Sequence, residues 1–260
     1  MDKIYKNYFS PKTAAERFAK GRPRFHSFVI GKIKEFLSLE KPLLFALDVG
    51  CGTGFSTAAL KEIAQRVIGL DISAEMLAWA EKENGVEYIL ASAENLPLGG
   101  DKFDLITISQ AIHWVDKDKF FKEADRVLKR EGWLIAYDNY FSDQAEKNPA
   151  FGDWHQQEFL KKYPVPPRAE ISFETTSENP NDFVLARQDW HENIIEFSAA
   201  ELVDFLVTMS NVIAAVEGGT QSIEEVREWL SDGVKPFFKE DERKPFTFKA
   251  TIWYLRRAAF

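Results

Sequence analysis

The chain has 260 residues, of which 45% are hydrophobic and 28% charged. That is enough apolar mass for a sizeable core, and it excludes disordered, collagenous and low-complexity classes. The 33 basic and 41 acidic residues leave a net charge of −8, which opposes general binding to a phosphate backbone. A single cysteine, Cys51, excludes an internal disulfide framework and a cysteine-based zinc site. The four histidines (His26, His113, His155 and His191) lack metal-ligand spacing, so no metal is expected. No apolar run is long enough to span a bilayer, and the opening MDKIYKNYFSPK has no signal-peptide h-region. A cytoplasmic protein is the expectation, with no nucleic-acid or membrane partner, monomeric or a weak homodimer.

In chain order, PKTAAERFAK (11–20) opens on Pro11 and predicts a short helix ended by Gly21. Phe25, Phe28, Val29, Ile33, Phe36 and Leu37 then recur at helical spacing. From residue 43 the pattern changes. LLFALDV (43–49) has no period of two, as befits a parallel strand buried on both faces, and a helix follows over about 55–65. RVIGLD (66–71) is a second strand, after which Ser73 caps a helix bearing Met76, Leu77 and Ala80. VEYILA (86–91) and FDLITIS (103–109) are the third and fourth strands. A helix over 118–130, ended by Gly132, leads to a fifth strand, WLIAYDN (133–139). This alternation predicts right-handed βαβ units and a doubly wound α/β fold.

Residues 141–180 are rich in proline and aromatics and predict an insertion with short helices. Its aromatics (Phe141, Phe151, Trp154, Phe159 and Tyr163) are read equally as a roof over a substrate pocket or as packing within a cap. FVLARQDWHENIIEF (183–197) predicts another strand. Residues 199–216 predict one helix, with Leu202, Phe205, Leu206, Met209, Ile213 and Val216 on one core-facing stripe. Ser222 to Glu225 form a capping box. The alternating PFTFKATIWYL (245–255) predicts a strand, antiparallel and at or near a sheet edge. The resulting organisation is an arm and helix over 1–40, an α/β core over 41–140, a cap over 141–182, and sheet-completing elements over 183–260.

The strongest chemical signal is Asp48-Val49-Gly50-Cys51-Gly52-Thr53-Gly54, set between the first strand and its helix. Glycines there let the backbone turn sharply and let a ligand lie against bare main chain, while the helix start presents backbone N–H groups. Asp71 ends the second strand, where an acid can accept hydrogen bonds from both hydroxyls of an adenosine ribose. A dinucleotide fingerprint needs GxGxxG, whereas Phe55 leaves GxGxG. A nicotinamide-dependent oxidoreductase is therefore the weaker enzyme reading.

These residues resemble the class I S-adenosylmethionine-dependent methyltransferases, methyltransferase-11 type. The matching stretches are Asp48-x-Gly50-x-Gly52-x-Gly54, Leu70-Asp71-Ile72-Ser73 with Met76-Leu77, Ala91 through Pro97, and Phe103-Asp104-Leu105-Ile106. Gln110-Ala111-Ile112-His113-Trp114, with the leader Ala14 to Pro23, is similar to the subgroup that includes trans-aconitate methyltransferases. The resemblance implies a Rossmann-like methyltransferase fold, with a mainly parallel seven-stranded sheet and an antiparallel C-terminal strand. It implies S-adenosylmethionine as cofactor, S-adenosylhomocysteine as product, and a small-molecule acceptor, with a carboxylate oxygen as the methyl's destination. A cofactor-binding protein without transferase activity stays open as an alternative.

By position, the resemblance places the backbone of Gly50, Cys51 and Gly52 at the methionine portion, with Asp48 and Gly54 among the cofactor-binding residues. Asp71 falls to the ribose, Ile72 and Met76 to the faces of the adenine, and Ser92, Ala93 and Glu94 to its edge. Gln110 and Ala111 are placed near the methionine moiety. His113, Trp114, Arg22 and Tyr140 are placed on the acceptor side, with His113 as the base if the acceptor must lose a proton. A structural role for His113 is an equal reading. Arg24 and Arg187 share with Arg22 the capacity to bind an anion.

Overall fold

The computed structural model describes residues 12–142, 147–166, 173 and 183–257. The arm before residue 12 and much of the expected cap (143–146, 167–172 and 174–182) lie outside the described residues. The chain divides into two compact units. One comprises residues 24–139, 168–191 and 250–260, and the other 1–23, 140–167 and 192–249.

In chain order the elements begin with α1 (Lys12–Gly21), α2 (His26–Phe36), β1 (Leu43–Val49), α3 (Phe55–Leu60), β2 (Ala64–Asp71), α4 (Ala74–Leu77), β3 (Val86–Leu90) and β4 (Phe103–Ser109). There follow α5 (Lys117–Val127), β5 (Leu128–Phe141), α6 (Pro149–Trp154), α7 (Leu160–Lys162), β6 (Phe183–Phe197), α8 (Ala199–Leu206), α9 (Ser210–Glu217), α10 (Ile223–Val234) and β7 (Lys244–Arg257). The sheet has seven strands in the order β3-β2-β1-β4-β5-β7-β6. β1 pairs in parallel with β2 and β4, β2 with β3, and β4 with β5, and β7 is the antiparallel strand. Strand order reverses between β2-β1 and β1-β4, which in such sheets opens the crevice used by ligands.

Within the first unit the sheet separates two cores. Ala46, Leu105, Ile135 and Tyr137 face Val29, Ile30 and Ile33 of α2 and Ala59 and Leu60 of α3. The alternate residues Leu47, Val49, Ile106, Ile108, Leu134 and Ala136 face Phe120, Phe121, Ala124 and Val127 of α5. Burial on both faces explains why these strands read as continuous apolar runs. The second unit is built on aromatics. Phe151, Phe159, Tyr163, Phe197, Phe205, Phe246 and Phe248 pack with Leu202, Leu206, Val226 and Leu230. The aromatics of 141–163 are thus packing residues of this unit, the second of the two readings offered by the sequence.

Two expectations need correction. The predicted helix over 199–216 is two helices, α8 and α9, bent by 65°. Thr208 donates its hydroxyl to the Phe205 carbonyl at 2.6 Å, and Met209 is extended at ψ 141, so the chain turns while the apolar spacing persists. The helix predicted over 118–130 ends at Val127, because Leu128 is already extended at ψ 138 and begins β5. β7 lies between β5 and the edge strand β6, near the sheet edge as expected. Among the described residues no single helix is long and apolar enough to cross a membrane.

Candidate active site

The site grows from the carboxyl ends of β1, β2 and β4. Gly50, Gly52 and Gly54 all adopt positive φ, at 68°, 54° and 79°, a region costly for residues with a Cβ. A Cβ on Gly50 would also lie 2.6 Å from the Ala111 Cβ, and one on Gly54 2.3 Å from the Tyr88 hydroxyl. The Tyr88 ring likewise fills the space left by Gly69, where a Cβ would come within 2.7 Å of it, and its hydroxyl donates to the Glu81 carbonyl at 2.9 Å.

The loop is tied down from β2. Gly50 and Cys51 donate their N–H groups to the Leu70 carbonyl at 2.7 and 3.0 Å, and Gly54 donates to Cys51 O at 2.9 Å. Gly52 donates to Asp71 Oδ2 at 2.8 Å, while Asp71 Oδ1 accepts from Ser73 N at 2.9 Å. Each carboxylate oxygen of Asp71 retains capacity for a second donor. Burial pushes the Asp71 carboxyl above its ordinary range, and the backbone donors at Ser73, Gly52 and Ile72 oppose that rise. One acid therefore both fixes the loop and offers two acceptors beside it.

Asp48 has a different position from the one expected. It is fully buried beneath the loop. Ser56, Thr57 and Thr107 donate their hydroxyls to it at 2.5, 2.7 and 2.9 Å. A carboxylate so enclosed cannot reach a ligand; it anchors the start of α3 and the middle of β4 to β1. Its pKa is pushed up to about 6 by burial, against the pull of the three hydroxyls. Cys51 is buried as well, and desolvation raises its thiol well above the ordinary value, so it contributes backbone rather than a nucleophile.

The flanking residues fall around the same loop. Ile72 is 65% exposed next to Asp71, while Met76 is buried, with its Cε 3.0 Å from where a Gly52 Cβ would stand. Ser73 caps α4, accepting from Met76 N. Past β3, Ala93 is buried, the Ser92 hydroxyl donates to Glu94, and Glu94 Oε1 accepts from Asp116 N at 2.8 Å. Glu94 is thus engaged with the cap of α5. After β4, Gln110 is strained at φ 52° and Ala111 abuts Gly50. His113 is buried in a single 3₁₀ turn, Ile112–Trp114, its ring 4.7 Å from that of Trp114.

Arg22 and Tyr140 belong to the other unit. Arg22 donates to the Thr208 carbonyl at 3.2 Å and stacks over Phe18 and Phe205. Tyr140 is exposed. Arg24 pairs with Glu81 and lies over Phe55, and Arg187 pairs with Asp189.

Sequence reasoning missed the hydroxyl cage of Asp48 and two further polar residues on the α2 side. His26 Nδ1 lies 2.9 Å from the Tyr137 hydroxyl, and Asn139 is buried at the end of β5. Polar residues inside otherwise apolar strands, such as Thr107, were the available signal.

The arrangement suits an adenosyl amino acid. Backbone without side chains of its own supplies a bed, and loop carbonyls can accept from an ammonium. Asp71 supplies two acceptors for vicinal hydroxyls, and Ile72 an exposed apolar surface for a flat ring. Buried polar atoms without partners remain at Thr53 Oγ1 and at both ends of the Asn139 carboxamide, as expected where a polar ligand completes the site. Among the described residues no cluster of His, Cys, Asp or Glu could hold a metal.

The chain is similar to known proteins in sequence and in fold. Residues 47–136 match the methyltransferase domain family. A Dictyostelium discoideum protein named as a methyltransferase is 26% identical over 239 residues, covering 90% of this chain and 85% of its own length. A Saccharomyces cerevisiae protein named as an S-adenosylmethionine-dependent methyltransferase is 27% identical over 169 residues, covering 60% of this chain, which spans 57% of that protein. In fold, a solved structure described as a type II methyltransferase from Anaeromyxobacter dehalogenans superposes with a TM-score of 0.67. It is 22% identical, and the match covers 91% of this chain and 97% of the other. The glycine cradle and the acid of the neighbouring strand both lie inside the matched stretch, so the chain carries a domain similar to the methyltransferase domain family, and its relatives include a protein named as an S-adenosylmethionine-dependent methyltransferase.

Proposed function

We propose that this chain transfers the methyl group of S-adenosylmethionine to a small molecule, with a carboxylate oxygen as acceptor. The observation that carries the cofactor site is the coupling of Gly52 N to Asp71 Oδ2 at 2.8 Å. It sets the loop and the ribose acceptor in one rigid frame, in which Gly50 to Gly54 hold the amino-acid end, Asp71 the ribose, and Ile72 and Met76 the adenine. Residues 41–140 would then bear the cofactor. The acceptor half rests on the Gln110 to Trp114 stretch after β4, similar to that of trans-aconitate methyltransferases, and on the net charge of −8, which disfavours nucleic-acid acceptors.

When bound, the cofactor supplies a sulfonium leaving group, so the protein's task is alignment. Holding donor and acceptor in line can contribute about 7–11 kcal/mol to the barrier reduction. Gln110, Ala111, His113 and Trp114 follow the strand next to β1 and are the residues to position an acceptor there. A carboxylate acceptor needs no base. His113, buried against Trp114, then serves to shape the pocket, and it would accept a proton only from an alcohol or amine acceptor.

Calorimetric titration with S-adenosylhomocysteine and with NADH tests the cofactor reading. Binding of the first and not the second is expected; the reverse would discard it. Labelled-methyl transfer to a panel of di- and tricarboxylates tests the acceptor. Incorporation into amines or phenols alone would move the assignment to them, and tight cofactor binding with no transfer to any acceptor would favour a binding protein.

A further inference from the structure

The carboxyl end of β5 carries a residue that neither the glycine loop nor the β2 acid uses. Side chains alternate along a strand. Ile135 and Tyr137 pack on the α2 side, and Asn139 falls on that side, one step closer to the carboxyl ends. It is 1% exposed, yet neither Oδ1 nor Nδ2 has a hydrogen-bond partner. Its backbone is held in place, since its carbonyl accepts from Gln110 Nε2 at 2.9 Å. Gln110 adopts its strained φ of 52°, and the neighbouring Ala111 abuts Gly50. Gly50, Gln110–Ala111 and Asn139 thus sit at the ends of three adjacent strands, β1, β4 and β5.

Burying both ends of a carboxamide unpaired is destabilising, so the site has a use for them. The loop shows what is lacking. The N–H groups of Gly50, Cys51, Gly52 and Gly54 are all taken by Leu70, Asp71 and Cys51 itself. These four can therefore offer a ligand carbonyl oxygens, which suit an ammonium, but no donors for the carboxylate beside it. A carboxamide supplies two N–H donors and one acceptor, uncharged and suited to a zwitterion. We propose that Asn139 is a positioning residue for the amino-acid end of the cofactor, its Nδ2 donating to the carboxylate that these four N–H groups do not serve.

This rests on the reading that the glycine loop holds S-adenosylmethionine, and the test separates the two. Asn139→Leu and Asn139→Ala are titrated calorimetrically with S-adenosylhomocysteine and with 5′-methylthioadenosine, which keeps the nucleoside and the thioether but lacks the amino-acid end. Both variants are expected to bind S-adenosylhomocysteine about 10- to 30-fold more weakly and 5′-methylthioadenosine within about twofold of the parent. The ligand-free Asn139→Leu protein is expected to melt no lower than the parent, because leucine fills a similar volume without unpaired polar atoms. Equal losses for both ligands, or no loss for either, would overturn the role of Asn139. A parent protein that binds neither ligand would overturn the cofactor site itself.

Discussion

Asp48→Asn isolates the energetic consequence of a carboxylate buried without a counter-charge. Three hydroxyls donate to Asp48, but its carboxyl still titrates near 6, against 3.8 for the free side chain. Each pH unit of displacement between folded and unfolded chains is worth about 1.4 kcal/mol, so the full displacement is on the order of 3 kcal/mol. The direction follows from proton binding. Below 3.8 the group is protonated in both states and costs nothing. Between 3.8 and about 6 the unfolded chain loses the proton that the folded chain keeps, so folding weakens as pH rises. Above 6 the penalty is constant. Asparagine does not titrate, so its stability lacks this slope. Urea unfolding of both proteins from pH 4 to pH 8 is expected to show the parent losing roughly 2–3 kcal/mol relative to the variant, most of it below pH 6. Surface carboxylates with lowered pKa, such as Glu123 and Glu201, act on both proteins and cancel in the difference. Parallel stability curves would show that the hydroxyl cage fully compensates burial, and would refute the reasoning.

Three other outcomes follow from the same geometry. Asp71→Ala removes the proposed ribose acceptor and frees Gly52 N, and should weaken S-adenosylhomocysteine by about 2–4 kcal/mol, or roughly 30- to 1000-fold; calorimetry giving the parent affinity would remove Asp71 from the site. Gly54→Ala combines a left-handed backbone with a Cβ 2.3 Å from the Tyr88 hydroxyl, and should cost about 2–4 kcal/mol in unfolding experiments. Adding Tyr88→Ala should recover the steric part of that loss, so a strictly additive double variant would contradict the clash. Cys51→Ala should leave affinity within about threefold, and the native thiol should resist dithionitrobenzoate until the chain unfolds; rapid labelling of the folded protein would show the loop to be open.

The fold was legible wherever spacing alone decides structure. The apolar runs at 43–49 and 103–109 coincide with β1 and β4, and the stretch 183–197 with β6. Spacing failed at 207–209, since a stripe of Leu, Phe, Met and Ile carries no record of where the backbone bends. The site was half legible. GxGxG and the acid of β2 announce themselves because few other arrangements need glycines and a carboxylate at those offsets. Asp48 belongs to the same motif, but its direction depends on hydroxyls eight, nine and 59 residues away. Asn139 has no motif at all; only its burial without partners singles it out.

The ring of Tyr88 occupies room released at two separate points, Gly54 in the loop and Gly69 on β2. Drift at any one of these three positions is therefore constrained by the other two. A lineage that trades tyrosine for a small residue would be relieved of the steric part of the demand for glycine at 69, and at 54 would still face the left-handed turn. Across descendants of this chain, size at 88 should vary inversely with size at 69 more strongly than with size at 54.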